Sequence, residues 1–266
     1  MYFKKNKLFI EKVDALKIVR KYGTPTYCYS LNRLRNNIHN FQQSFKSISP
    51  LICFSVKSNN NCQILKEIKK SGVGADVVSK GEMLQALKAG ILPKKIVFSG
   101  VGKKTEELKF AIEKKILLIN AESESEIFEI ERLAKLKKKI VNIGIRLNPN
   151  IDAKTLKKIS TGKHEDKFGL TEKAFLKILN KFENSKYVKV KCLSVHIGSQ
   201  ITDYKPYLKM LNVLDLIIKK SKYIFEYVDL GGGMGIQYDK KTKVFNYKKY
   251  NKIIKKFLIK HNVKII

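Results

Sequence analysis

Apolar residues in this chain gather in short runs at a steady interval, separated by longer stretches where they recur every three or four positions. Short apolar runs bounded by Gly, Pro or polar residues read as buried strands, and the three-to-four spacing reads as amphipathic helices. The runs predict strands at 51–56, 73–78, 95–99, 116–120, 140–147, 190–197, 225–230 and 262–266. The stretches between them predict helices near 61–71, 80–90, 104–114, 123–137, 171–182, 204–221 and 246–260. In the fourth of these, Ile127, Ile130, Leu133, Ala134 and Leu136 largely keep helical spacing, and Ser123-Glu-Ser-Glu126 ahead of them has the form of a capping box. Helix 80–90 closes on Ala89-Gly90, a glycine stop. Eight strands alternating with seven helices spell an α/β fold, a (β/α)8 TIM-like barrel. An open doubly wound sheet, with fewer strands, is the alternative.

Residues 1–28 stand outside this rhythm. They hold a short strand at Leu8-Phe9-Ile10, a helix from Val13 to Tyr22 and a turn at Gly23-Thr24-Pro25. A helix at 30–46 then leads into the first barrel strand, so the barrel domain is expected to run over 29–266. The chain stops at Lys264-Ile265-Ile266, inside the eighth strand. A barrel strand is ordinarily followed by a loop and a helix, so the chain is expected to be a fragment, or the strand count is off by one.

The ends of these strands carry the chemistry. Leu51-Ile-Cys-Phe-Ser-Val56 runs directly into Lys57, which delivers an amine to the edge of the sheet, where α/β sites form. A lysine there can form a Schiff base, although most strand-end lysines are simply solvated. Strand seven runs into Gly231-Gly232-Gly233 and Gly235. Glycines let the backbone approach a ligand and turn several N–H groups one way, and barrel phosphate sites gather after strands seven and eight. Strand six ends at His196, with Ser199 offering a hydroxyl in the loop beyond. Arg146 leaves strand five, costly unless it meets an anion, a cofactor or a structural ion-pair partner. Asp76, in strand two, can pair with or orient Lys57, while Ser79 and Glu82 fit a helix cap. An amine, an imidazole, an arginine and an anion-binding loop thus share the C-terminal face of a barrel. A Schiff-base lysine beside a phosphate cradle suggests pyridoxal 5′-phosphate. A phosphorylated-sugar aldolase would also use lysine and phosphate, but leaves unexplained a histidine placed against a flat ring.

Composition narrows the classes. With 44% hydrophobic residues over 266 positions the chain can bury a sizeable core. It has no apolar stretch of membrane length and no signal-peptide pattern at Met1-Tyr-Phe-Lys-Lys, so a cytoplasmic location without membrane association is expected. Cys28, Cys53, Cys62 and Cys192 lack metal-type spacing and disulfide density, so they are expected to be reduced thiols and no metal is expected. The formal charge of +32 invites a nucleic-acid reading, but of 55 Lys and Arg only Arg20, Arg33, Arg35, Arg132 and Arg146 are arginine. Phosphate-fork and base-edge recognition favours arginine, and the lysines are scattered, so no nucleic-acid partner is expected.

The motifs resemble the fold-type III pyridoxal-phosphate-dependent amino-acid decarboxylases, the alanine-racemase-like barrels. Phe54-Ser-Val-Lys-Ser-Asn59 is similar to that family's cofactor-lysine motif Tyr-Ala-Val-Lys-Ala-Asn. His196-Ile-Gly-Ser-Gln-Ile201, Gly231-Gly-Gly-Met-Gly-Ile236 and the Thr161-to-Gly169 stretch ending in Lys-Phe-Gly resemble its diaminopimelate decarboxylase branch. The resemblance implies that Lys57 carries the cofactor and that His196 stacks on its ring. Ser199, Gly231, Gly232 and Gly233 would hold its phosphate, and Asp76 and Arg146 would line the site. The implied reaction releases carbon dioxide from the D-configured centre of meso-diaminopimelate, a small amino-acid substrate, to give L-lysine, in a homodimer.

The family continues past strand eight with Glu-Pro-Gly-Arg, whose glutamate partners the pyridine nitrogen, and with a C-terminal β domain on which residues 1–28 would pack. The chain stops before both, so on its own it is expected to turn over poorly. Ornithine-, arginine- or carboxyspermidine-type decarboxylases and a non-catalytic pyridoxal-phosphate-binding barrel are the competing readings.

Overall fold

The computed structural model describes every residue except 154, 156–158, 160, 163–165 and 240. The chain divides into two compact units, Met1–Phe41 and Gln42–Ile266. The first is built around a small antiparallel sheet of β1 (Tyr2–Lys4), β2 (Lys7–Ile10) and β3 (Val13–Asp14). β1 and β2 are joined by Lys5-Asn6, both at positive φ (48° and 59°), the pairing that suits a two-residue hairpin. Asp14 caps α1 (Ala15–Tyr22) by accepting from the Leu16 N–H, and the helix ends at Gly23. Helix α2 starts at Leu31, and Glu11 clasps its beginning through Ser30 and Asn32. The predicted strand at 8–10, helix to Tyr22, turn at 23–25 and helix at 30–46 are present; the outer strands β1 and β3 escaped the pattern because each is too short to show alternation.

The second unit realises the predicted alternation. Its parallel strands are β4 (Cys53–Ser55), β5 (Gly74–Val77), β6 (Ile96–Phe98), β7 (Leu118–Ala121), β8 (Val141–Arg146), β9 (Val188–Ser194), β10 (Tyr227–Asp229) and β11 (Lys264–Ile265), paired in sequence order. The Leu51 N–H donates to the Ile265 carbonyl at 2.8 Å, so the chain just before the first strand meets the last. That contact, with eight successive parallel strands, makes a barrel and rules out the open doubly wound sheet. The helices α3 (Cys62–Lys70), α4 (Lys80–Lys88), α5 (Thr105–Lys114), α6 (Glu124–Leu136), α7 (Glu172–Phe182), α8 (Lys205–Ser221) and α9 (Tyr247–Lys260) follow the strands one by one.

Each helix buries one stripe. In α6 the buried face is Ile127, Ile130, Leu133 and Ala134, as its spacing predicts, while Leu136 stays exposed. Each large side chain there contributes about 2 kcal/mol of burial. The two capping boxes are only half as drawn. The Ser79 and Ser123 hydroxyls accept from the Glu82 and Glu126 N–H groups, but those glutamates return to the N–H of Val78 and Glu122, one residue before each cap. The glycine stop after α4 is real, with Gly90 at φ 88°. A bulge interrupts the β8–β9 ladder at Ile143/Gly144. No helix among the described residues is long and apolar enough to cross a membrane.

Candidate active site

Parallel strands point their C-terminal ends one way, so the residues that leave those ends share one rim. Lys57 lies exposed in a short 3-10 turn, Val56–Ser58, that ends β4. Its charge acts on both Asp76 and His196. Asp76, in β5, pairs in register with Ser55 and accepts from the Ser55 hydroxyl at 3.3 Å. Burial pushes its carboxyl up, opposed by a Ser99 hydrogen bond and the Lys57 charge.

His196 follows β9. Burial, with the charges of Arg146 and Lys57, lowers its pKa to about 3, so the ring is neutral at physiological pH. Its Nδ1 accepts from the Gly232 N–H at 3.3 Å; Nδ1 therefore carries the lone pair and Nε2 the proton. The glycine loop and the imidazole form one piece. Gly231 (φ 64°) and Gly233 (φ 90°) sit in left-handed conformations. A Cβ on Gly231 would lie 2.7 Å from His196 Nδ1 and from the Val195 carbonyl, and one on Gly233 would collide with the Gly198 carbonyl.

The two diagnostic stretches are joined directly. The Ile201 N–H donates to the Gly233 carbonyl and the Gly235 N–H to the Ile201 carbonyl, each at 2.8 Å. Gln200 clasps Ile236 through both its amide oxygen and its amide nitrogen. Tyr207, from α8, donates its hydroxyl to the Gly232 carbonyl at 2.9 Å. Gln200-Ile201 and the glycine loop therefore extend the β9–β10 pairing past the strands. Ser199 is exposed beside them, its N–H bonded to the Ile159 carbonyl at 3.1 Å.

Arg146 is buried at the end of β8 and is already paired. Its Nη1 meets Glu122 Oε1 at 2.8 Å, its Nη2 donates to the His196 carbonyl at 3.3 Å, and its guanidinium lies 4.7 Å from the Phe168 ring centre. Of the three partners open to it from the sequence, the ion-pair acid is the one the geometry displays. Glu122 in turn accepts from the Gly100 N–H. Nearby, Lys103 is buried against Glu126 at 2.7 Å and donates to the Gly100 and Asn120 carbonyls. Sequence reasoning missed Glu122, Lys103, Asn120 and Asp229. A signal existed: Asn120, Glu122 and Asp229 are polar residues in or directly after strongly apolar runs, where a polar side chain must find a partner. Of the Thr161-to-Gly169 stretch, residues 163–165 lie outside the described residues; Thr161 donates its hydroxyl to the His196 carbonyl at 2.9 Å.

Residues 31–266 match the family of the pyridoxal-dependent decarboxylases, pyridoxal-binding domain. The chain belongs to that family. A diaminopimelate decarboxylase of Haemophilus influenzae is 37% identical over 243 residues, covering 90% of this chain and 59% of the relative. A crystal structure of diaminopimelate decarboxylase from Helicobacter pylori complexed with L-lysine superposes with a TM-score of 0.89 at 35% identity, over 95% of this chain and 64% of the other. One from M. jannaschii, also in complex with L-lysine, gives 0.90 at 33% identity, over 99% and 65%. The chain thus spans about three fifths of the length of the relatives it matches.

The family's cofactor is pyridoxal phosphate, and the rim suits it. The glycine loop packs its backbone against His196 and Gly198 and leaves open space beside Gly232, the histidine face is uncharged, and a lysine amine stands within electrostatic range. Among the described residues no cluster of His, Cys, Asp and Glu could hold a metal ion.

Proposed function

We propose that the protein decarboxylates meso-2,6-diaminopimelate to L-lysine and carbon dioxide. The observation that carries this reading is the zipper between Gln200-Ile201 and Gly233–Ile236, which makes one unit of two stretches that resemble the diaminopimelate decarboxylases. The identity of about 37% to such enzymes, and the L-lysine held in two of the similar crystal structures, support the substrate.

Lys57 would hold the cofactor aldehyde covalently at Nζ, and His196 would lay its neutral ring against the pyridine. Ser199 and Gly231, Gly232 and Gly233 would receive the phosphate, with Asp76 and Arg146 lining the site. When bound, pyridoxal phosphate takes up the electron pair that the departing carboxylate leaves behind. The chain's own part is orientation and proton handling. Gly232 fixes the imidazole through Nδ1, which keeps Nε2 protonated and the ring face uncharged. Arg146, neutralised by Glu122, braces the His196 carbonyl instead of presenting a free charge to substrate. Lys57 Nζ would also serve as a base that holds a proton.

We further propose a cytoplasmic homodimer in which residues 1–28 belong to a second domain and residues 29–266 form the cofactor barrel, a reading that the family resemblance supports. Light scattering on the full-length protein reads the dimer. The function is tested by carbon dioxide release from meso-diaminopimelate by the full-length protein, set beside ornithine and arginine. Release from diaminopimelate alone, abolished in Lys57→Ala together with the visible absorbance of the protein-bound cofactor, is the expected result. Preference for ornithine or arginine, or an unimpaired Lys57→Ala enzyme, overturns the reading.

A further inference from the structure

Beneath the glycine loop lies a carboxylate with no part in the chemistry above. Asp229 ends β10 and is buried, 9% exposed. Its Oδ1 accepts from the Gly231 N–H at 2.9 Å. Its Oδ2 accepts from Asn120 Nδ2 at 2.7 Å and from the Ser194 hydroxyl at 3.4 Å. The carboxylate is thus fastened to β7 and β9 before it takes hold of the loop that follows its own strand.

Asn120 is buried with it. It is 1% exposed and its Nδ2 also reaches Ser99 at 3.4 Å, while its Oδ1 makes no hydrogen bond and fits by shape alone into the space where Gly144 has no Cβ. Ser99 bonds Asp76, to which Ser55 also donates. A polar belt therefore crosses the barrel interior from the carboxylate under the glycine loop to the carboxylate beside Lys57. Burial pushes the Asp229 carboxyl up to about 6, and Asp76 adds to the rise; the Gly231 N–H, Asn120 and Arg146 oppose it. Cys53, Cys192 and Tyr250 also face it; burial pushes each of them up, and the Asp229 charge adds to the rise.

The loop above needs such a tether. Glycine visits left-handed conformations about as readily as ordinary ones, so three in a row have little stiffness of their own. The Gly232 and Gly233 groups are held by neutral partners, His196 Nδ1, the Tyr207 hydroxyl and the Ile201 N–H. Asp229 is the acidic partner at the start of the loop, and a charge-assisted hydrogen bond is roughly twice as strong as a neutral one.

We propose that Asp229, braced by Asn120, is a positioning residue that presets the Gly231–Gly233 loop to receive a phosphate monoester. The proposal rests on the reading of that loop as the phosphate cradle. Its physical content is preorganisation: the loop is ordered before the ligand arrives, so the ligand does not have to order it. The competing effect has the opposite sign. A negative charge under a phosphate repels it, so if Asp229 were only a charge, removing it would tighten phosphate binding.

The test compares two ligands that differ only by phosphate. Pyridoxamine 5′-phosphate and pyridoxamine, neither of which bonds covalently to a lysine, are titrated calorimetrically into cofactor-free full-length protein. The ratio of their affinities reads the contribution of the phosphate alone. In Asp229→Ala that ratio is expected to fall about tenfold, the scale of one charged hydrogen bond, with pyridoxamine affinity unmoved. Asp229→Asn, which keeps an acceptor for the Gly231 N–H, is expected to recover part of it, and Asn120→Ala to lose part of it. A purely structural defect would lower the melting temperature and leave the ratio alone. A ratio unchanged or raised in Asp229→Ala overturns the proposal; if that variant does not fold, an unchanged ratio in both Asp229→Asn and Asn120→Ala does the same. Gly231→Ala separates the two readings. If it collapses the ratio while the Asp229 variants do not, the cradle stands and the positioning role falls. If it leaves the ratio intact, both fall.

Discussion

Acid–base pairs stand at both ends of the barrel strands, built on different terms. At the C-terminal rim, Arg146 and Glu122 meet at 2.8 Å with side chains 9% and 2% exposed. At the opposite end, Lys191 and Glu226 meet at 2.7 Å with side chains 38% and 36% exposed, and Lys264 approaches the same glutamate at 3.5 Å. The distances are nearly equal; the medium is not. Two charges in water attract weakly and stay solvated, while two buried charges attract strongly and have lost their water. The rim pair holds because the surroundings supply further hydrogen bonds, from the Gly100 N–H to Glu122 and from Arg146 to the His196 carbonyl. Even so, Glu122 Oε2 is buried without a hydrogen bond. An ion pair at the rim is thus part of a built network that orients His196, and an ion pair at the far end is surface decoration.

The sharpest way to break that contrast is Glu122→Ala, which leaves Arg146 buried without its acid. A loss of about 3–5 kcal/mol is expected in urea denaturation; a loss below about 1 kcal/mol would make the rim pair equivalent to an exposed one. Next in size is the pH response of Asp229. Its carboxyl is held at about 6 in the fold against the ordinary carboxylate value near 3.9. The folded state then binds the proton more tightly, so this group's contribution is most favourable at low pH and is lost as pH rises through about 6. The cost approaches about 3 kcal/mol above that window. His196 works in the other direction: its pKa falls to about 3, so its contribution is present above about 6.5 and is lost as pH drops. The stability of wild type minus that of Asp229→Asn is therefore expected to decline between about pH 4 and 6. A flat difference would mean that the carboxylate is solvated like those at the far end.

Smaller, and directed at the belt, is Gly144→Ala. The new Cβ would strike Asn120 Oδ1, and overpacking of this kind costs about 1–3 kcal/mol. Adding Asn120→Ala is expected to relieve it, so the double-mutant cycle should show coupling. Smallest is Glu226→Gln at the far end. Lys191 and Lys264 hold that carboxyl below its usual value, but with more than a third of the side chain exposed the change is expected within about 1 kcal/mol and to vanish in high salt.

Much of this architecture was legible before any coordinates. The eight strands and seven helices are where hydrophobic spacing puts them, because that spacing is set locally by the period of each element. Lys57, His196, Arg146 and the glycine loop share a rim because parallel strands must end on one side. Other features left no local trace. The outer strands of the N-terminal sheet are two and three residues long, too short for a pattern. The carboxylate ends of both capping boxes shifted by one residue, since a flexible glutamate takes whichever N–H is nearer. Arg146 could meet an anion, a cofactor or an acid by sequence, and only folding supplied Glu122, 24 residues away.

The sequence alone determined the order, length and type of the barrel's elements, the glycines that alone tolerate the loop's left-handed turns, and the membership of the family. Tertiary structure decided the partnerships: Asn120 with Asp229 across 109 residues, Glu122 with Arg146, and Leu51 with Ile265 where the sheet closes. The physical reason is that periodicity follows from the backbone's own geometry, whereas the choice of buried polar partner depends on which side chains the closed barrel brings within hydrogen-bond reach once water has been removed.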